Sequence, residues 1–480
     1  MSNKYEAVVG LEIHIQLNTK RKAFCNCSTN YNDSANSNIC PVCTGQPGAL
    51  PVLNREVVKK AVMLSKAING EINLESTFDR KNYFYPDMPK NYQITQFFKP
   101  VSENGHILVK SDDDSLRQIG IERVHIEEDT GKSLHMEKNT YLNYNRAGIP
   151  LIEIVSKPEM RSGKEAADYF RKIYLIAVNY LGICTGNMEE GNLRCDANVS
   201  IRPVGSKELF TKTEVKNVNS FSFIQKAIEH EIERQIEIVE SGGMVEAETR
   251  LWNAKSGKTE LMRKKHGRND YRYFNEPDLG PLCITDSFVN EIRTLIPELP
   301  DEKYIRLKEN YDLNDEILSL FIGYPVVADY YEKAVGFAPE LAKKIGAWMS
   351  SELLRLEDKE HIEKAVIAPE MLAELVSMVE SKKINQAQGK EIIEIMHKEN
   401  RKASEIAALD PRFQAIDSGE IETFVDDAIN SNPKELEAYL NGKETLFGFF
   451  VGQVMKKSKG KADPATVNNL LKEKLANRNK

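Results

Sequence analysis

The sequence predicts an α+β protein of two or three domains, with strands first and helices after. Three observations carry that expectation. Segments that alternate apolar and polar residues recur from Val8 to about Leu282, which marks strands with one buried face. After Leu282 such segments are hard to find, and helical spacing takes over. At 480 residues the chain is also too long for one compact core.

The first strand is VVGLEIHIQL. Leu11, Ile13, Ile15 and Leu17 fall on one face, and Gly10, Glu12, His14 and Gln16 on the other. A carboxylate and an imidazole side by side suit metal binding or proton transfer. A strand whose polar face is simply wet shows the same pattern. Cys25, Cys27, Cys40 and Cys43 follow as a CxC…CxxC set with twelve residues between the pairs. Four thiolates in two close pairs suit tetrahedral zinc, and a polar loop with no core of its own would be ordered by it. Disulfides or unrelated thiols are the alternative. With no open position left, such a zinc is structural.

Arg55 to Ala67 has helical spacing. In FDRKNYFYPDMPKNYQITQ, Tyr83, Phe84, Tyr85 and Tyr92 alternate with Arg80, Lys81 and Lys90. Such a stretch suits a flexible RNA end, by stacking and phosphate contact, as well as it suits a packed loop with proline turns. From Gln118 to Asp129, Val124 and Ile126 oppose Arg123, His125 and Glu127. The following DTGKS is not a phosphate-binding loop, because Ile126 stands where the first glycine is needed. GIPLIEIVS is an apolar strand with one carboxylate, Glu153. Buried alone, that group would be strongly destabilising, so a strand-end position in water or a bound cation is required. Glu12, His14, Glu127 and Glu153 together would form an oxygen-rich site suited to Mg²⁺.

Ser162 and Glu165 form a capping box for a helix running to about Leu181 and Gly182. LRCDANVSIR alternates again, with Arg194, Asp196, Asn198 and Ser200 on its polar side. Ser220 opens a helix that Gly242 and Gly243 close, and ETRLWNA and TELMR flank a KSGK turn. RKKHGRNDYRYFNEPDLGPL mixes cations and aromatics, which fits an RNA contact or a solvated basic loop. Helices fill the rest, with a break at Asp410-Pro411. From Lys456 onward eight Lys or Arg face only Asp463 and Glu473, a pattern of a phosphate-contacting face or of a solvated helix end.

The totals exclude several classes. No apolar run approaches a membrane span, and the start lacks a signal peptide's apolar core. Seven cysteines, three of them scattered, argue for a reducing cytoplasm over a disulfide scaffold. The net charge of −7 confines any nucleic-acid contact to local patches.

Taken together, VGLEIHIQL, the cysteine loop, RKNYFYPDMPKNYQITQ, HIEEDTGK, YNRAGIPLIEIVS, EEGNLRCDANVSIR, DYRYFNEPDL and GFFVGQVMK resemble the B-subunit family of the tRNA-dependent amidotransferase. The match runs along essentially the whole chain. Asn275 departs from it, where the family pattern has proline. The resemblance implies a glutamine-synthetase-like α+β cradle with the zinc loop over residues 1–292. A helical domain over 293–405 and a helical tail over 406–480 contacting tRNA complete it. It also implies a reaction: ATP phosphorylates the side-chain carboxylate of Glu or Asp mischarged on tRNA(Gln) or tRNA(Asn), and ammonia displaces phosphate. Glu12, His14, Glu127 and Glu153 would surround Mg²⁺. Tyr83, Tyr85, Lys90, Arg194 and Asp196 would line the substrate and nucleotide cavity, and Lys456, Lys457, Lys459 and Lys461 would touch tRNA phosphates. The chain has no amidase signature, so the resemblance assigns ammonia release to a glutaminase A subunit, with a small C subunit that binds both. The rival reading is a non-catalytic zinc protein that docks tRNA and scaffolds an enzyme. It leaves Glu153 in an apolar strand unexplained.

Overall fold

The computed structural model describes residues 4–30, 32–264, 271–414, 418–458 and 461–478. The chain divides into two compact units, Met1–Pro300 and Asp301–Lys480. The first unit runs past the expected boundary at residue 292, because Ile292 is in its core and Ile296 and Leu299 pack against that core.

In chain order the first unit contains β1 (Tyr5–Gln16), α1 (Arg55–Ala67), β2 (Glu71–Ile72), β3 (Glu75–Ser76), β4 (Asp79–Asn82) and β5 (Tyr92–Thr95). Next come β6 (Ser102–Lys110), β7 (Leu116–Glu128), β8 (Lys132–Met136), β9 (Asn139–Asn143), β10 (Pro150–Ser156) and α2 (Gly163–Tyr174). The unit ends with β11 (Leu193–Pro203), β12 (Thr213–Lys216), α3 (Phe221–Glu240), β13 (Glu248–Asn253), β14 (Lys258–Lys264), β15 (Phe274–Asn275), β16 (Leu282–Cys283) and α4 (Asp286–Arg293).

One nine-stranded sheet, ordered β14-β13-β12-β11-β1-β10-β7-β6-β2, dominates the unit. Its neighbours are antiparallel except β12 and β13. β1 lies at its centre, pairing Ile13 with Ile154 of β10 and with Cys195 of β11. The alternation read from the sequence decides its two faces. Val9, Leu11, Ile13 and Ile15 are buried with Ile152, Ile154, Val124, Ile126, Ala197 and Val199 in one core. α1, α2 and α3 cover that face, supplying Val57, Ala61, Leu64, Tyr169, Phe170, Ile224 and Ile228. The opposite face keeps its charged residues. A smaller sheet, β15-β4-β5, stands against the end of β7. Gln93 Nε2 donates to the Glu128 carbonyl at 2.8 Å, and the Ile126 N–H donates to Gln96 Oε1 at 2.9 Å.

The helix after Ser162 differs from expectation. Ser162 caps it by accepting from the Glu165 N–H at 3.1 Å. The Glu165 carboxylate instead accepts from the Arg161 N–H and pairs with Arg117, so the reciprocal half of the box is not made. α2 also gives way to a π-helical turn over Leu175–Tyr180 before Gly182, whose φ is +59°. DTGKS leads from β7 into strand β8, with no helix start to receive a phosphate.

The second unit is helical among its described residues. Its principal helices include Asp315–Gly323, Pro325–Phe337, Pro369–Glu380 and Gln386–Glu399. Ser418–Asn430, Phe447–Lys457 and Pro464–Asn477 follow. Buried side chains from Leu307 to Phe413 form one apolar cluster, and those from Ile421 to Leu475 form another. Among the described residues, no helix is long and apolar enough to cross a membrane.

Candidate active site and cysteine cluster

The polar face of the large sheet collects its ionisable groups by register. His14 pairs across to Glu153 on one side and Arg194 on the other, while Glu153 pairs with His125. In a pleated sheet, paired residues project to the same face. His14 Nε2 therefore lies 3.5 Å from Glu127 Oε1 and 3.4 Å from Glu153 Oε2. One ligand atom from each of His14, Glu127 and Glu153 falls within 4.8 Å of the others.

Glu12 is placed elsewhere. It forms a second group with Asp196 and Glu214, again within 4.8 Å, and accepts from Asn198 Nδ2 at 2.9 Å. The four expected cation ligands thus divide. β1 has β10 on one flank and β11 on the other, and Glu12 shares its group with the acidic residues of β11 and β12. Lys216 bonds Asp196 and lies 3.1 Å from Glu214, offsetting part of this second negative charge.

Burial makes the pairings matter. Glu127 is 2% exposed, and an isolated carboxylate there would be uncharged. Burial alone would raise the pKa of Glu127 and Glu153, but His125 and His14 hold both below the usual carboxylate range. Reciprocally, burial would lower the two histidines, and Glu153 and Glu127 outweigh it: His14 is raised, and His125 is pushed up to about 9. The donor set fits a hard divalent cation: two carboxylates and one imidazole converge, and among the described residues only His14 and His125 pair with those carboxylates.

Two cavities meet at this cluster. The larger, about 540 Å³, is lined by His14, Tyr83, Glu127, Asp129, Arg194 and Asp196 among others. The smaller, about 170 Å³, is lined by Glu12, Arg123, His125, Glu153 and Tyr273 among others. Of the expected cavity residues, Tyr83, Arg194 and Asp196 are therefore in the larger one. Tyr85 is 62% exposed and lines neither. Lys90 also lines neither, because buried Glu128 engages its ammonium.

His125, Lys81, Glu214 and Lys216 also line or pair within the site, although none was among the residues expected to hold a cation or line the cavity. His125 stood on the correct face of its strand, and only the register with Glu153 brings it in. Lys81 sat among the aromatics of a loop, and Glu214 and Lys216 lie on a strand too short to alternate visibly.

The four cysteines of the loop after β1 also converge, with their sulfurs within 4.8 Å of one another. This arrangement fits a tetrahedral thiolate site. A hydrogen bond from Cys25 brings the Cys43 thiol down to about 5, against burial and with help from Lys22. Lys22 is fully buried, and its Nζ donates to the Asn38 carbonyl at 2.8 Å and the Tyr144 carbonyl at 3.3 Å, with Cys43 Sγ at 3.6 Å. In the tail, Lys456 and Lys457 are exposed, and Lys457 lies 3.2 Å from Asp427. Lys461 is partly buried, and Lys459 lies outside the described residues.

Comparison with known proteins finds relatives that cover 98% of the chain. Residues 7–290 match the GatB/GatE catalytic domain, and residues 329–475 match the GatB domain. The B subunit of the aspartyl/glutamyl-tRNA(Asn/Gln) amidotransferase of Halorhodospira halophila is 48% identical over 476 residues, covering 98% of this chain and 99% of that protein. The protein of the same name from Rippkaea orientalis is 46% identical over 486 residues, covering 98% of each. That of Alkalilimnicola ehrlichii is 46% identical over 476 residues, covering 98% and 99%.

Proposed function

The chain belongs to the GatB/GatE catalytic-domain family, and on that premise we propose that the polar face of its large sheet activates and amidates the aminoacyl group of a mischarged tRNA. The chain is a subunit of a tRNA-dependent amidotransferase, a glutamine-dependent carbon–nitrogen ligase acting on Asp-tRNA(Asn) or Glu-tRNA(Gln). A carboxylate has no adequate leaving group, so ATP first converts it to an acyl phosphate. The carboxylate oxygen attacks the γ-phosphorus, the bond to the β-phosphate oxygen breaks, and ADP leaves. Ammonia then attacks the acyl carbon, the carbon–oxygen bond breaks, and hydrogen phosphate leaves carrying one of the ammonia protons.

The observation that carries this reading is the convergence of His14, Glu127 and Glu153 where two cavities meet. Phosphoryl transfer is mainly positioning and charge neutralisation. His14, Glu127 and Glu153 would hold one Mg²⁺, and Glu12 with Asp196 and Glu214 a second. Mg²⁺ held there neutralises phosphate charge and orients the transferring group. Arg194, 3.4 Å from Asp129, borders the larger cavity and supplies a further positive charge for phosphate or tRNA. Tyr83 offers a stacking surface for the tRNA end.

Ammonia comes from a partner glutaminase A subunit, held with this chain by a small C subunit. The cysteine loop carries a structural Zn²⁺. The helical tail contacts the tRNA body through Lys456, Lys457, Lys459 and Lys461. The test is amide formation on mischarged Glu-tRNA(Gln) and Asp-tRNA(Asn) by the purified complex with ATP, Mg²⁺ and ammonium salts. Amide formed on one or both, with one ADP per amide, is expected. A complex that binds the tRNA tightly and consumes no ATP would favour the scaffold reading.

A further inference from the structure

Arg80 and Lys81 are neighbours on β4, and strand alternation sends them to opposite sides. Arg80 is fully engaged: its guanidinium bonds Glu276 at 2.7 and 2.8 Å, reaches Asp278 at 3.1 Å and lies 4.1 Å from the Tyr92 ring centre. Lys81 enters the cavities. Its ammonium lies 5.1 Å from the centre of the Tyr271 ring, and among the described residues no carboxylate comes within 4.0 Å of it. Burial works against its charge, but Glu127 and Glu153 raise its pKa and keep it protonated.

Its place is specific. Among the described residues, Lys81 and Glu127 alone line both cavities, so Lys81 stands on the border the two share. β4 presents it firmly: Asp79 accepts from the N–H groups of Phe97 and Phe98 at 2.7 and 3.0 Å, and Lys81 pairs with Gln93 of β5. Lys81 is half-buried, and an ammonium partly withdrawn from water without a close counter-ion is costly, so one retained on a rigid strand awaits an anion that arrives with substrate. In-line phosphoryl transfer places the attacking and leaving oxygens on opposite sides of phosphorus. A side chain on the border of two cavities, beside the carboxylate–histidine cluster, is placed to meet a group that has a reactant on either side.

We propose that Lys81 is a catalytic residue of this amidotransferase, binding the phosphoryl group as it passes from ATP to the substrate carboxylate. The inference rests on the amidotransferase reading above. The phosphoryl oxygens sit against Lys81 while the carboxylate oxygen bonds to phosphorus and the bond to ADP breaks. No proton moves to or from the ammonium.

The experiment uses the intact complex with mischarged Glu-tRNA(Gln), ATP, Mg²⁺ and ammonium chloride. Lys81→Met should lower kcat for tRNA-dependent ATP cleavage and for amide formation in parallel, by about 100-fold or more. ATP affinity should stay within about threefold, since a group that acts mainly on the transition state leaves ground-state binding alone. Binding of ADP with aluminium fluoride, a mimic of the transferring phosphoryl group, should weaken by a factor comparable to the loss in kcat. Lys81→Arg should recover part of both losses, with thermal melting of each variant near wild type. ATP cleavage at the wild-type rate with only amide formation abolished would overturn the proposal, as would an unchanged affinity for the aluminium fluoride complex. A wild-type complex that fails to cleave ATP with mischarged tRNA would instead sink the amidotransferase reading itself.

Discussion

His125 Nε2 lies 3.2 Å from Glu153 Oε2, joining two neighbouring strands across the floor of the site. The pairing sets a pH window for the metal-free protein. His125 titrates at about 9, above its ordinary 6.5, so its contribution to stability is complete below pH 6.5 and is lost as pH rises through 9. Glu153 is held well below its ordinary 4.5, so its contribution is present above 4.5 and is lost as pH falls further. With a chelator present, the melting temperature should plateau between about pH 4.5 and 6.5 and fall as pH rises from there to about 9. His125→Asn should remove the fall between pH 6.5 and 9. An unchanged alkaline limb in that variant would show that other groups set it.

Glu127→Gln and Glu153→Gln keep the side-chain size and remove the charge. An amide oxygen is a weaker ligand for a hard cation, so each should lower tRNA-dependent ATP cleavage and amide formation by about 100-fold or more. The loss should persist with ammonium salts replacing glutamine, and binding of charged tRNA should survive. Mutants that work normally with ammonium and fail only with glutamine would mark these carboxylates as serving ammonia delivery.

Zinc should be present at roughly one equivalent per chain and depend on all four thiolates. Cys40→Ser should lose it and open the loop to proteolysis. Lys22→Met tests the buried ammonium beside Cys43. It removes the positive charge that offsets the thiolates, so zinc should be captured more readily by a competing chelator. Zinc-free protein with a protease-resistant loop and full activity would refute the site.

The tail prediction concerns salt. Removing one lysine that touches a phosphate should reduce the slope of log affinity against log salt by about 0.7–0.9. Lys456→Ala should show this more clearly than Lys457→Ala, because Asp427 already lies 3.2 Å from Lys457. Truncation after Glu405 should raise the KM for charged tRNA while glutaminase activity on free glutamine continues. Unchanged tRNA affinity after truncation would remove the tail from the interface.

Much of the site was legible because strand alternation is a local property. Glu12, His14, His125, Glu127, Arg194 and Asp196 all lie on the face that their own strands assign to polar groups, and Glu153 stands out as the one carboxylate of an apolar strand. Their partnership was not legible, because it depends on which strands become neighbours and in what register. β1 could be seen to carry both Glu12 and His14. That His14 would join Glu127 and Glu153 while Glu12 joined Asp196 and Glu214 follows only from β1 lying between β10 and β11. Lys81 was visible as a cation among aromatics, but its place beside Glu127 was hidden for a related reason. Its strand has four residues, and a short segment shows no period. The helical half was visible as spacing, yet its two separate apolar clusters emerge only from packing.

β1 leaves no slack for insertion or deletion. Its odd-numbered residues from Leu11 to Ile15 are sealed in the core, and its even-numbered Glu12 and His14 face the cavities. Removing a single residue upstream of Glu12 within the strand would exchange the two sets, putting Glu12 opposite Ala197, His14 opposite Ile154 and Ile15 opposite Glu153. Folding and chemistry would fail together. Length variation in this family should therefore collect outside the strand, in segments such as the cysteine loop and the β8–β9 hairpin, where an added residue changes no face.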